Sequence, residues 1–298
     1  MTRTTPLWIR SGRGEKPEVQ WSLTVDAPLA NLRLARESGD LLAADASGGL
    51  YRIDLNGHIA SLTRGFLDLT GLAFSDTGQR GAAVVEQRKL SCFDGQLKVV
   101  WTIELPESVT TIAMDPQGYH LGVALANGRN VIYDVNRRRV CDFTTDSPLQ
   151  YWEFLTTEPA IVAAAEYGLI CKYDFQGREI WQEKLSSNIG DLKITGDGNC
   201  ILLPVFNHGI RSFNSAGEPS GSFMIEGTAH RLACSFTGNR LLVTTLEGHL
   251  YWIDSEGNLI WGAVLPEDIE QVACDPLGNG LYCGFGSGRV MHLIWKFE

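Results

Sequence analysis

Short apolar runs closed by Gly, Asp or Asn recur about every ten residues along the chain; Leu41-Leu42-Ala43-Ala44, Ile161-Val162-Ala163-Ala164-Ala165 and Leu241-Leu242-Val243 are examples. Runs of about four to eight residues bounded by turn residues predict strands buried on both faces. A longer period lies over this one. Stepping by forty from Asp54 reaches Asp94, Asp134, Asp174, Asn214 and Asp254, each preceded by a large apolar residue, from Ile53 to Ile253. Glycine keeps the same step at Gly48, Gly128, Gly168, Gly248 and Gly288, interrupted by Arg88 and His208. It does so again at Gly78, Gly118, Gly198, Gly238 and Gly278, with Gly39 one place late and Glu158 the exception. An Asp that opens a turn can accept a backbone N–H two residues on, and a later Gly supplies positive φ, so turn geometry accounts for these columns. Four strands, a to d, fit each unit.

The fourth strand shows how the units close. Trp101, Trp181 and Trp261 lie eighty apart, Ser61, Cys141 and Gly221 stand in the intervening units, and forty residues before Ser61 comes Trp21. The stretch from Val19 to Val25 therefore reads as a strand d without the rest of its unit. Strand a recurs at Leu32, Leu72, Ile112, Trp152, Leu192, Leu232 and Val272, and the seventh unit runs out near Phe297 before a fourth strand of its own. The first strand supplies what the last unit lacks, and closure removes the open sheet edges that invite aggregation. The pattern thus predicts an all-β, seven-bladed β-propeller of gapless four-stranded repeats over residues 19–298. Residues of about 19 to 26 complete the blade formed by about 267 to 298, and an N-terminal arm, residues 1–18, precedes the ring.

Gly248-His249-Leu250-Tyr251-Trp252-Ile253-Asp254-Ser255-Glu256-Gly257-Asn258-Leu259-Ile260-Trp261 resembles the repeat of quinoprotein-like (PQQ-like) propellers: Gly-x-Leu-Tyr-x-Leu-Asp, a Gly-bearing turn, then Trp. Gly168, Asp174, Gly177 and Trp181 match the same form, and Gly49-Leu50-Tyr51-Arg52-Ile53-Asp54 matches until Ser61 replaces the Trp. WD-repeat propellers share the unit length, yet no unit here carries their terminal Trp-Asp. Family members that use the quinone cofactor are typically eight-bladed and secreted, with a vicinal disulfide and a calcium site. This chain has seven units, no adjacent cysteines and no secretion signal. The resemblance therefore implies a non-catalytic member without a cofactor, a platform that binds proteins or serves as a module of an assembly.

Charge narrows the partners. With 25 Lys plus Arg against 35 Asp plus Glu, the formal charge of -10 repels phosphate backbones, so nucleic acid is not expected. No apolar run approaches the roughly 20 residues of a membrane span, and the start MTRTTPLWIRSGRG lacks the apolar core of a secretory signal, so a cytoplasmic location is expected. The seven cysteines form no C-x-x-C pair and sit in apolar runs, as reduced core residues would. The arm carries Arg3, Arg10, Arg13 and Lys16 around Trp8. It is expected to dock on an acidic partner or on this acidic propeller, or else to be a disordered terminus.

The chain has no G-x-x-x-x-G-K-[ST], H-E-x-x-H or G-x-S-x-G motif. A propeller can still assemble a site at the mouth of its channel, where the starts of strand a and the b–c loops converge. The first column reads Asn31, Gly71, Thr111, Tyr151, Asp191, Arg231 and Gln271; the second reads Ser47, Gln87, Asn127, Tyr167, Asn207, Glu247 and Ser287. Tyr151, Tyr167, Asp191, Phe206, Asn207, His208, His230 and Arg231 gather on one face of blades four to six. Their mix of aromatic area and hydrogen-bonding groups marks them as the expected partner-binding residues. Blade five also breaks the repeat, with Pro204 inside a strand and His208 in place of the loop glycine. Trp152 stands in a column of Leu, Ile and Val and is expected in the core.

Near the axis the column reads Arg33, Ala73, Ala113, Glu153, Lys193, Ala233 and Ala273. Glu153 and Lys193, in adjacent blades, predict a salt bridge lining a wet channel, since charges there must find partners or water. The groups able to ligate a metal, Asp191, Asn207, Glu247, His208 and His230, lie on neighbouring blades rather than around the ring, so no metal is expected. The six histidines are expected to be exposed or hydrogen-bonded. The resulting reading is a non-enzymatic platform for a protein partner. A small-molecule or glycan-binding propeller and a channel-mouth metal-dependent hydrolase or lyase remain as alternatives.

Overall fold

Seven antiparallel sheets follow one another along the chain in the computed structural model, which describes residues 5–296. Each blade takes its strands in chain order from the axis outward. Blade one is Leu29–Leu34, Leu41–Asp45, Gly49–Ile53 and Ile59–Arg64. Blade seven is Ile269–Cys274, Gly280–Phe285 and Arg289–Ile294, with Glu18–Thr24 as its fourth strand. That strand runs antiparallel from Glu18 opposite Ile294 to Thr24 opposite Arg289, which is the closure predicted from the position of Trp21.

Burial follows position in the blade. Strand b is covered on both faces by neighbouring blades, so Leu41–Asp45, Ala160–Ala164 and Gly280–Phe285 are buried throughout, whereas the outer strand Val99–Glu104 is largely exposed. The core is divided between adjoining blades; Leu42, Ala44 and Leu50 of blade one pack with Leu72, Phe74, Ala83 and Phe93 of blade two. Each blade therefore depends on its neighbours for burial, as in other repeat architectures. Trp152 is buried in this core, against Phe143. The seven cysteines are free; all are buried except Cys200, which is half-buried.

The Asp column works as turn chemistry requires. Asp54 Oδ1 accepts the N–H groups of Asn56 and His58 at 2.8 and 2.9 Å, and Asp94, Asp134, Asp174, Asn214 and Asp254 repeat this pair of bonds. Three tryptophans of the fourth-strand column tie their blades to the next. Trp21, Trp101 and Trp181 donate their indole N–H to the carbonyls of Leu55, Val135 and Ser215, at 2.9, 3.1 and 3.1 Å, in the c–d turn of the following blade. Gly57 and Gly217, at φ +80 and +82, lie flat on the Trp21 and Trp181 rings, where a Cβ would come within 2.6 and 2.8 Å of ring carbons.

Trp261 has no such turn to meet, because the third and fourth strands of blade seven come from opposite ends of the chain. The N-terminal arm takes that place. A single helical turn, Leu7–Arg10, is followed by Arg13–Gly14, which pairs with Gly262 and Trp261 as a fifth strand of blade six. Trp8 and Ile9 are buried, with the Trp8 ring 5.7 Å from Trp261 and 6.1 Å from Phe285. Trp295 stacks on Trp252 and donates its indole N–H to Glu15 O at 2.6 Å. Of the arm's expected alternatives, docking on the propeller itself is the one observed, while Arg10, Arg13 and Lys16 stay exposed. Arg3 falls outside the described residues.

Candidate functional site

The residues singled out from sequence separate into an outer and an inner group. Tyr167, Asn207 and His208 are exposed on the b–c turns of blades four and five, with Phe206 half-buried beside them. Tyr151, His230 and Arg231 are half-buried near the channel mouth, and Asp191 is buried. Four large apolar side chains at the same end of the ring escaped the sequence reading: Met224 and Val264 are 76% and 63% exposed where strand d of blades five and six ends, Leu246 is 58% exposed on the b–c turn of blade six, and Leu67 is 57% exposed after strand d of blade one. A signal for Leu246 was available. The column Ala46, Glu86, Ala126, Glu166, Phe206, Leu246 and Gly286 holds large apolar residues in blades five and six alone.

Blade five explains why Asp191 is free to act away from its own sheet. In the other six blades the first-column residue pairs with strand b: Asn31 with Ala44, Gly71 with Val84, Thr111 with Ala124, Tyr151 with Ala164, Arg231 with Thr244, Gln271 with Gly284. The equivalent pair in blade five is Asp191 and Pro204, and proline has no N–H to give. Strand a shrinks to Lys193–Ile194, and contact resumes only where Gly190 N donates to Pro204 O at 2.9 Å and Ile189 bridges Val205. At the adjoining turn Asn207 takes positive φ (+66) ahead of His208, and Gly209 takes it (+67) after.

The side chain of Asp191 joins blades instead. Its Oδ1 accepts the N–H of Leu192 at 2.8 Å, and its Oδ2 accepts the N–H of Leu232, in blade six, at 3.1 Å. Lys193 Nζ lies 3.1 Å from Asp191 Oδ1, 3.1 Å from Glu153 Oε1 and 2.8 Å from Leu192 O, which uses all three ammonium protons and supplies the predicted Glu153–Lys193 bridge. Burial works against the Lys193 charge, but the Asp191 and Glu153 carboxylates outweigh it and raise the pKa.

These groups line a channel cavity of about 250 Å³ that runs on to Arg36 and Asp76, an ion pair at 2.9 Å near its far end. Arg33 also faces the cavity and donates Nε–H to Leu72 O of the next blade at 2.9 Å. Burial lowers the pKa of Arg33 and Arg231 opposes its charge further, with Asp191 and Glu153 acting in the other sense. Arg231 Nε and His230 Nδ1 are buried without a hydrogen-bond partner. Burial, then Arg231, lowers the His230 pKa, while burial, then Asp191, pushes the Tyr151 hydroxyl up to about 12.

Among the described residues no three His, Cys, Asp or Glu side chains come together as a metal would require. The expectation for the histidines needs correction at three. His58 and His120 contact Asp54 and Asp115 at 3.4 and 2.8 Å, but His230, His249 and His292 each hold Nδ1 buried without a partner, and the whole side chain is buried in the case of His292. It lies inside blade seven, stacked on Tyr282 at 4.1 Å and edge-on to Trp21 at 5.7 Å, because the N-terminal strand covers its face of the sheet.

No family model matches the chain, and no curated protein does. Among solved structures it is similar to the β-propeller domain of Cps50 (Swd1) from Myceliophteria thermophila, with 18% identity and a TM-score of 0.80 over 94% of this chain and 100% of that one. At this identity the likeness shows the fold, a seven-bladed β-propeller. No helix among the described residues is long and apolar enough to cross a membrane.

Proposed function

We propose that the protein is a non-enzymatic interaction platform that holds a protein partner on the face made by the strand-a starts and b–c turns, over blades four to six. The observation that carries this reading is the exposure of Tyr167, Met224 and Leu246 at one end of three successive blades. Beside them, His230 and Arg231 hold polar atoms that lack partners. A partner that covers the apolar side chains and bonds the polar ones gains at both, which is how interface hot spots are composed. In this reading Tyr151, Tyr167, Phe206, Asn207, His208, His230 and Arg231 form the contact face, with Met224 and Leu246 added to it, while the buried Asp191 ties blades five and six together beneath it.

The seating of Trp21 and Trp181 on turn glycines of the next blade supports a place among the non-catalytic quinoprotein-like propellers. Seven unpaired thiols support a reducing, cytoplasmic setting. The exposed cations Arg10, Arg13 and Lys16 offer a further contact for an acidic segment of the partner.

Affinity capture from the native lysate tests the reading, with wild type run beside a Tyr167→Ser/Met224→Ser/Leu246→Ser variant. The expected result is a stoichiometric partner held by wild type and lost from the variant, whose melting temperature stays unchanged because the three side chains are exposed. Tyr119 and Leu277, 61% and 74% exposed on the opposite face, provide the control. A partner retained by the triple variant but lost from Tyr119→Ser/Leu277→Ser would overturn the assignment of the face.

A further inference from the structure

We propose that the central channel is a binding site for a small phosphate-bearing anion, gripped by the guanidinium groups of Arg33 and Arg231. The charges along the cavity do not balance. Four cations, Arg33, Arg36, Lys193 and Arg231, face it against three carboxylates, Asp76, Glu153 and Asp191. Arg36 takes Asp76, and Lys193 takes both Glu153 and Asp191. The remaining oxygen of Asp191 is occupied by the Leu232 N–H. Arg33 and Arg231 are thus left with no ion pair among the described residues, in a chain whose overall charge is -10.

Their donors are free as well. Arg33 uses Nε on Leu72 O and one terminal nitrogen on Leu32 O, which leaves three of the five N–H groups of a guanidinium. The Arg231 side chain makes no hydrogen bond among the described residues, and its buried Nε has no acceptor. A buried donor without an acceptor is costly, and an oxyanion between the two forks would satisfy donors and charge together. Guanidinium matches the oxygens of phosphate two at a time. A phosphate monoester presents enough oxygens to meet both forks at once, whereas one carboxylate has only two to share between them.

Size restricts the rest of the ligand. The cavity, about 250 Å³, lies below the roughly 300–1,000 Å³ of pockets for drug-sized ligands, which suits phosphate with a short organic group. Thr111, Gln150 and Gln271 also line it and offer hydroxyl and amide groups to that remainder. This inference goes beyond partner capture, and Arg33, its central residue, lies outside the contact face.

The test is calorimetric titration of the full chain with inorganic phosphate and with glycerol phosphate, ionic strength being matched with chloride, alongside thermal melts. Saturable binding and a rise in melting temperature are expected with at least one of the two. Arg33→Gln and Arg231→Gln should each weaken binding at least tenfold, whereas Arg64→Gln, on the exposed rim, should not. Should Arg33→Gln fail to fold, Arg231→Gln decides alone, since the Arg231 side chain has no bond to lose. Absence of saturable binding, undiminished binding in a folded Arg231→Gln variant, or saturation by succinate but not phosphate would overturn the proposal. Capture of a protein partner by the same wild-type material would show that the platform reading survives such a failure.

Discussion

Blades five and seven both depart from the forty-residue repeat, and the gap is filled by different chemistry in each. Blade seven lacks a fourth strand and a turn, and the N-terminus supplies apolar groups: Trp21 in the sheet, then Trp8 and Ile9 against Trp261 and Phe285. Blade five lacks one strand pairing, and a carboxylate replaces it, with Asp191 bonding to Leu192, Lys193 and Leu232. Apolar contact is non-directional, and it holds this seam even though the indole N–H groups of Trp8 and Trp261 are buried without acceptors. Polar repair is directional, and it draws further charges into the channel, some of them without partners. Arg231 Nε and His230 Nδ1, buried without a partner, lie beside blade five's repair.

Three measurements would break or sharpen that contrast. The largest effect is expected at the apolar repair: Trp8→Ala should cost about 3–5 kcal/mol in urea unfolding, the usual range for deleting a buried aromatic side chain. A loss below about 1 kcal/mol would mean that the arm adds nothing to the seam. Next comes acid. Burial lowers the His292 pKa from 6.5 to about 4, so below pH 6.5 the unfolded chain binds a proton that the folded chain refuses. Stability from this residue is complete above pH 6.5 and lost as pH falls towards 4, by about 3 kcal/mol over the window. Unfolding at pH 7, 5.5 and 4.5 should show that slope, and His292→Phe should flatten it. The smallest effect belongs to the polar repair, where Asp191→Ala should cost about 2 kcal/mol through two N–H groups left without their acceptor. Lys193 keeps Glu153, so Asp191→Ala combined with Glu153→Ala should cost more than the two single variants summed.

Regular blades were legible because their register is written locally. Asp54 and its five equivalents bond two to four residues ahead, and Trp21, Trp101 and Trp181 reach a turn at a fixed thirty-four-residue distance. Even the Glu153–Lys193 bridge could be read, since equivalent positions in neighbouring blades are spatial neighbours. The docking of Trp8 could not, because its partners Trp261 and Phe285 lie outside any column that Trp8 belongs to. His292 was missed for a related reason: its alternating strand position says nothing about the strand from the far end of the chain that covers it. For the channel, Arg33 was visible in its column, but its lack of an ion pair depends on where Asp191 points, and Pro204 decides that through a pairing it cannot make.

The seam between Glu18 and Ile294 also bears on how the ring is assembled. The strand synthesised first is seated last, after every intervening blade exists to carry its two ends together. Blades that stack on their neighbours as they emerge bring the ends into range by geometry rather than by random search, and loop-closure entropy grows only slowly with the length between them. The seam then acts as a proofreading step. A strand slipped by one residue in any blade turns its apolar side chains to the wrong face, misplaces the stack, and denies Trp21 its seat over Gly57 in blade one. Completion of the ring is therefore a single late event that reports on the correctness of all seven blades.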